Sequence, residues 1–348
     1  MYLAKKNNIG GVYMKRALIT GITGQDGSFL AELLLSKGYE VYGLIRRKST
    51  LDYGKVEHLK NDIKFVTGDM TDFVSLVNAV KESKPDEVYN LAAQSFVAAS
   101  FGQPVLTFSV NAMGCENLLE AIKQEKSDAR FYQASTSELF GNTKERPQNE
   151  KTSFKPESPY AISKLAAHYI TQNYRDGYGI FASTGILFNH ESERRGKEFV
   201  TRKVTDGVAK IKLGKQEYIE LGNLDARRDW GYSKEYVRAI WLILQQEKPD
   251  DFVIATGESH TVREFVELAF KYAGIDIVWQ GTGVDEVAIN TANNKVVVKI
   301  NKQFFRPLDV NYLVGDSTKA FNTFGWKSEV SFEELVKLMV ENDLKENC

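Results

Sequence analysis

At 348 residues the chain exceeds a typical single domain and has room for one large domain and a smaller one. With 43% hydrophobic residues, 26% charged residues and a formal net charge of -1, it has the composition of a packed globular protein. It has no general attraction for nucleic acid or an anionic membrane. Two cysteines (Cys115, Cys348) and four scattered histidines (His58, His168, His190, His260) argue against a disulfide scaffold and a zinc site, and no apolar run is long enough to span a bilayer.

Residues 1–13 precede the first element and read as a flexible extension. Their lysines lead into no apolar core or small-residue cleavage site, which argues against a signal peptide. "RALIT" (16–20) is short and apolar, as a buried parallel strand is. A glycine loop follows, then a helical pattern ending at Gly38. Strands are predicted at 39–45, in "DIKFVTGDM", and at 86–93, 129–135 and 180–188. Between them lie helices at 72–83, 104–125 and 158–179, the last with Pro159 in its first turn.

Strands alternating with crossover helices predict an α/β fold, a Rossmann-type doubly wound parallel sheet over residues 14–188. "DDFVIATG" reads as one further strand returning to that sheet near 251–257. Residues 189–250 and 258–348 are expected mainly to form a smaller, partly interleaved α/β substrate domain. Thr261/Glu264 and Ser331/Glu334 carry the spacing of helix capping boxes there.

Gly21, Gly24 and Gly27 stand between a strand and a helix, where glycine permits a tight turn and close approach of a pyrophosphate to the helix N-terminus. At the end of the second strand a carboxylate would favour NAD. The chain has Arg46, Arg47 and Lys48 instead, either a solvated basic turn or a seat for the 2′-phosphate of NADP; the second reading is preferred. Tyr160 and Lys164 share a helix face, and Thr136 ends the fifth strand at the sheet edge where such sites form. In that arrangement Lys164 lowers the Tyr160 pKa, Tyr160 takes a proton from a carbinol, and Thr136 holds the substrate oxygen. Glu138, two residues past Thr136, either caps a loop or acts as a second acid–base group in the same site.

The stretches "ALITGITGQDGSFLAELLL", "NLAAQS", "QASTSELFG", "SPYAISK", "GILFNHESERRGKEFVTRKV", "LGNLDARRDWG" and "FFRPLDVNYLVGD" cover residues 16–326 almost continuously. In them the chain resembles the extended short-chain dehydrogenase/reductase family and, within it, the GDP-mannose 4,6-dehydratases. The resemblance implies Thr136, Glu138, Tyr160 and Lys164 as catalytic residues. It implies NADP contacts at Gly21, Thr23, Gly24, Gln25, Asp26 and Gly27, and at Arg46, Arg47, Lys48 and Ser49. Further cofactor contacts are implied at Asp69, Met70, Leu91, Ala92, Ala93, Gln94, Ser95, Lys164, His190 and Arg195. Nucleotide-sugar contacts are implied at Thr136, Asn189, Lys203, Arg228 and Arg306, with no metal. It further implies GDP-mannose as substrate, a homodimer or homotetramer, a cytoplasmic setting, and a place in GDP-deoxyhexose biosynthesis. The rival readings are another NDP-hexose 4,6-dehydratase, an NDP-sugar 4-epimerase or reductase, and a non-enzymatic cofactor-sensing or scaffold protein with a Rossmann core.

Three positions depart from the family pattern. Phe96 stands where a histidine is common, Glu193 where a proline is common, and Tyr232 in a motif that usually has histidine. Glu193 is expected to weaken the pull of Arg194 and Arg195 on a phosphate.

Overall fold

The computed structural model describes residues 14–348 except Lys48, Leu51 and Arg306; the expectations for residues 1–13, Lys48 and Arg306 therefore lie outside the described residues. Six strands, β1 (Arg16–Thr20), β2 (Glu40–Ile45), β3 (Lys64–Thr67), β4 (Glu87–Asn90), β5 (Arg130–Ala134) and β6 (Ala182–Leu187), join the returning strand Asp251–Ile254 in one sheet. All pairings are parallel, in the order returning strand, β6, β5, β4, β1, β2, β3. The order reverses direction beside β1, which places a crevice at the carboxyl ends of β1 and β4.

The period-2 alternation of β1 feeds two cores. Ala17 and Ile19 pack with Phe29, Leu30 and Leu34 of the helix Gln25–Ser36 on one face. Leu18 packs on the other face with Leu76 of the helix Phe73–Ser83 and Leu118 and Ile122 of the helix Gly114–Glu125. The helix Ser233–Ile243, although it follows the first small-domain strands, packs against Gln25–Ser36 through Tyr236, Val237 and Ile240. The chain thus returns to the large domain twice.

A third core lies in the smaller domain. It has a four-stranded sheet in the order Ile277–Gln280, Val287–Asn290, Lys295–Ile300, Ile219–Leu221, with helices Val200–Lys212, Val262–Tyr272 and Phe332–Asn347. Both capping boxes form: the Thr261 and Ser331 hydroxyls accept the N–H of Glu264 and Glu334, whose carboxylates return the bond. Each cap stabilises its helix by about 1 kcal/mol.

The helix expected at 104–125 is interrupted. Pro104–Phe108 and Gly114–Glu125 are joined by a π turn at Ser109–Met113. Asn111 in that turn faces inward. Its side chain accepts the Gln94 N–H at 2.8 Å and donates to the Gln94 carbonyl at 3.1 Å and the Ser163 hydroxyl at 3.0 Å. The wider turn brings this amide to the 91–95 segment, in keeping with the frequent use of π turns at functional sites. A short helix at Val97–Gly102, not expected from the sequence, precedes it.

Candidate active site

A cavity of about 1100 Å³ opens along the carboxyl edge of the parallel sheet and runs beneath the smaller domain. At one end is the glycine loop. Gly21 has φ +69°, and a Cβ there would lie 2.7 Å from the Ala92 nitrogen; a Cβ on Gly27 would meet the Gly21 carbonyl oxygen at 2.4 Å. The first contact keeps the loop tight on the 91–95 turn, and the second keeps the helix close to the strand. Among the described residues no side chain caps the N-terminus of Gln25–Ser36, so its amides and dipole face the cavity with their capacity for an anion intact.

Thr23, Gln25, Asp26, Arg46, Asp69, Met70, Leu91, Ala92, Ala93, Gln94, Ser95, His190 and Arg195 line this cavity with the three glycines. Arg47 and Ser49 are exposed and do not line it. Asp69 is held below the usual carboxylate range by the Thr71 N–H and hydroxyl and by the charge of Arg46, which outweigh its partial burial. Asn189, Lys203 and Arg228 line the same cavity toward the smaller domain, as do Phe305 and Pro307 on either side of Arg306. Lys203 sits with its ammonium 3.3 Å from the centre of the Phe304 ring, and burial lowers its pKa.

Thr136, Glu138, Tyr160 and Lys164 come together on one wall, each no more than 8% exposed. The helix Pro159–Tyr178 carries Tyr160 and Lys164 one turn apart; Ser158 caps it by accepting the Ala161 N–H at 3.0 Å. The strand is not extended through Glu138. β5 ends at Ala134, Thr136 remains extended, and Ser137–Leu139 forms a 3₁₀ turn whose first amide bond is Glu138 N–H to the Thr136 hydroxyl, 3.3 Å. The turn, rather than strand alternation, brings both side chains to one cavity.

Burial pushes the Tyr160 phenol up to about 12 and the Lys164 ammonium down to about 8. The groups that pull the phenol back toward ionisation are the Thr136 hydrogen bond and the Arg195 guanidinium, while the charge of Glu138 opposes them. The expectation that Lys164 lowers the Tyr160 pKa is corrected to this extent: burial dominates both groups.

Glu193 also departs from expectation. Its carboxylate turns to the Tyr232 hydroxyl (3.5 Å) and the Lys234 ammonium (3.7 Å), and it lines a separate surface groove. Arg195 pairs instead with Glu191 at 3.1 Å and lies over the Phe199 ring, and Arg194 bonds Ser28 and Glu32. The two arginines therefore have their own partners. Phe96, in edge contact with Phe199, makes that part of the wall apolar.

Among the described residues, the buried Gln94 Oε1, Ser135 Oγ and Asn189 Oδ1 on this wall have no hydrogen-bond partner. Unpaired buried acceptors cost stability unless a ligand satisfies them, so the wall suits a polar ligand with several hydroxyls and amides. Sequence reasoning passed over Ser135 and Asn111. An isolated serine carries no signal, and an asparagine inside an apolar helical pattern is the one trace that Asn111 left.

The family profile described as GDP-mannose 4,6 dehydratase matches residues 18–339. A GDP-mannose 4,6 dehydratase of Drosophila melanogaster is 52% identical over 341 residues, covering 95% of this chain and 86% of that protein. Among solved structures, a UDP-glucose 4-epimerase of Thermotoga maritima with UDP-glucose superposes with a TM-score of 0.80 at 27% identity, over 95% of this chain and 99% of that one. A dTDP-glucose 4,6-dehydratase of Bacillus anthracis in complex with NAD has a TM-score of 0.79 at 20% identity, over 96% and 97%. Epimerase and dehydratase share this fold, so the backbone does not separate them; the sequence match over nearly the whole length does, and the chain belongs to the GDP-mannose 4,6-dehydratase family.

Proposed function

We infer that the chain is a nicotinamide-dependent hydro-lyase that converts GDP-mannose to GDP-4-dehydro-6-deoxy-mannose and water. The observation that carries this reading is the meeting of Glu138 with Thr136, Tyr160 and Lys164 on one cavity wall. A bound nicotinamide dinucleotide supplies the acceptor for the hydrogen at C4 of the hexose and returns it to C6. The chain's residues do the rest. Thr136 holds the C4 oxygen, and Tyr160, which burial keeps neutral and which the Thr136 bond, Arg195 and the positive charge of a bound oxidised nicotinamide would bring toward ionisation, takes its proton as the ketone forms. Lys164, one turn along the helix, holds the ribose hydroxyls. The ketone makes the C5 proton acidic; the Glu138 carboxylate removes it and passes it to the departing C6 hydroxyl, which leaves as water, and the proton that Tyr160 took from the C4 hydroxyl balances the one C5 regains as the hydrogen returns to C6. An epimerase or 4-reductase has no use for that carboxylate.

For the cofactor we favour NADP over NAD. Arg46 is exposed at the cavity edge, at the end of β2 where a carboxylate would otherwise hold the ribose. Its planar fork suits a 2′-phosphate. Product analysis after incubation with GDP-mannose and, separately, dTDP-glucose tests the substrate. A 6-deoxy-4-keto sugar from GDP-mannose alone supports the reading, and turnover of dTDP-glucose at an equal rate removes the guanine preference.

A homo-oligomer is also proposed. Val105, Phe108, Met113, Ile162 and Tyr169 are large and 41–78% exposed on neighbouring helices, an apolar patch suited to a second copy. We further propose that the basic turn at 46–49 lies against a neighbouring subunit, where it would help close the cofactor site.

A further inference from the structure

Both ring nitrogens of His190 are taken by protein acceptors. Nδ1 lies 2.7 Å from the Phe188 carbonyl oxygen and Nε2 lies 2.9 Å from Asp26 Oδ2. A carbonyl and a carboxylate can only accept, so each nitrogen must carry a proton and the ring is an imidazolium. The His190 carbonyl is occupied as well, accepting from the Gln25 side chain at 3.1 Å. The ring stacks on Tyr236 with centroids 4.7 Å apart. Asp26 has two further bonds: its Oδ1 accepts the Ser233 hydroxyl at 2.7 Å and the Gln25 side-chain amide at 3.0 Å. Ser233 and Tyr236 belong to the helix Ser233–Ile243, Asp26 to the first turn of Gln25–Ser36, and His190 to the segment just past β6.

We propose that Asp26 and His190 are positioning residues, a buried carboxylate–imidazolium pair that joins the glycine loop to the segment after β6 and to the helix 233–243, and that neither side chain is a direct hydrogen-bonding ligand of the dinucleotide. The pair holds the floor on which the cofactor's diphosphate and nicotinamide ends both rest, so both ends are set by one rigid unit. This proposal rests on the dinucleotide reading of the cavity for its consequence, but the pair itself stands on geometry.

The charge balance around the pair is compatible. Arg195, from the loop after His190, stabilises the carboxylate and opposes the imidazolium. Tyr132 of β5, Tyr160 of the catalytic helix and the stacked Tyr236 are the other titratable groups nearby, and burial holds all three phenols in their neutral form. Burial opposes both charges, yet the partner outweighs it each time: His190 is raised above the usual imidazole range and Asp26 is held well below the usual carboxylate range.

Two measurements on the full chain test the proposal. The first uses ¹⁵N-histidine labelling of the cofactor-free protein, with His190→Gln identifying the signal. Both His190 ring nitrogens are expected to be protonated at pH 7, with a transition above the ordinary value of about 6.5. Asp26→Asn should move that transition down by about one unit or more. If Asp26→Asn does not fold, Ser233→Ala, which removes only one bond to the carboxylate, should move it the other way or leave it in place while the ring stays doubly protonated. A neutral ring at pH 7 in the parent, or a transition indifferent to Asp26→Asn, overturns the pair.

The second measurement is calorimetric titration with NADP. Asp26→Asn and His190→Gln should each weaken binding by about tenfold, and the double variant no further than either alone, because the two act as one unit. Losses that multiply would mark two independent ligands and overturn the positioning role. Absence of any NADP binding by the parent would instead count against the cofactor reading and leave the nitrogen signals to judge the pair.

Discussion

The Glu138 carboxylate raises the proton affinity of the Tyr160 phenol across the shared cavity, while the Thr136 hydroxyl, bonded to the Glu138 amide, lowers it. The two acid–base groups of the proposed reaction are therefore electrically coupled. Glu138→Gln keeps the size of the side chain and removes its charge. Oxidation at C4 should survive in part, while elimination of water falls by roughly two to four orders of magnitude. Reduced nicotinamide absorbance and a 4-keto sugar still bearing its C6 hydroxyl should accumulate in a single turnover, with slow entry of solvent deuterium at C5. Tyr160→Phe should stop the reaction earlier, with little absorbance change. Parental product formation by Glu138→Gln would remove the elimination role.

Lys164 has a stability consequence. Its pKa falls from 10.5 to about 8 on burial. Between those values the unfolded chain holds the extra proton, so stability rises with pH across that window, and below about pH 8 the folded state bears the full cost of a buried ammonium. Lys164→Met should thus be more stable than the parent at pH 7, on the order of 3 kcal/mol, with the difference shrinking toward zero by about pH 10.5. It should also lose C4 oxidation. Urea unfolding of both cofactor-free proteins at pH 7 and above pH 10 measures this; equal stability at pH 7 would mean that the ammonium is not desolvated.

Cofactor choice is expected to turn on Arg46. Arg46→Ala should weaken NADP binding by roughly 10- to 100-fold, the scale of one charge-assisted contact, and leave NAD almost unaffected. Calorimetric titration of both dinucleotides gives the ratio. An NAD affinity equal to or tighter than that for NADP in the parent would end the preference.

The exposed patch on the helices 104–125 and 159–178 should be covered in solution. Light scattering at micromolar concentration is expected to give a dimer or tetramer. Ile162→Glu combined with Val105→Glu, both at half-exposed or more exposed positions, should yield a folded monomer, because a carboxylate buried in an apolar contact without a partner is costly. A monomeric parent would leave the patch without this explanation.

Much of the scaffold is legible in the chain because its signals are local. β1 occupies the predicted residues 16–20, and the strands at 40–45, 130–134 and 182–187 fall inside the predicted runs. The capping boxes at Thr261/Glu264 and Ser331/Glu334 close within four residues, so composition and spacing suffice to foresee them. Tyr160 and Lys164 are likewise neighbours by helical period alone. What periodicity cannot carry is a contact made by folding. The π turn accompanies Asn111 reaching Gln94 and Ser163, and the pattern of 104–125 carries no mark of it beyond a polar asparagine among apolar residues.

The sequence by itself determined the element order, the glycine loop, the candidate reactive side chains and, through extended likeness to known proteins, the family. The tertiary structure alone decided which charges neutralise one another. Glu193, adjacent in sequence to two arginines, turns to Tyr232 and Lys234, whereas Asp26 and His190, separated by 164 residues, form a buried pair. Sequence neighbours need not face one another, and a pair drawn from distant segments exists only once the sheet has set their distance and burial has removed the water that would screen them.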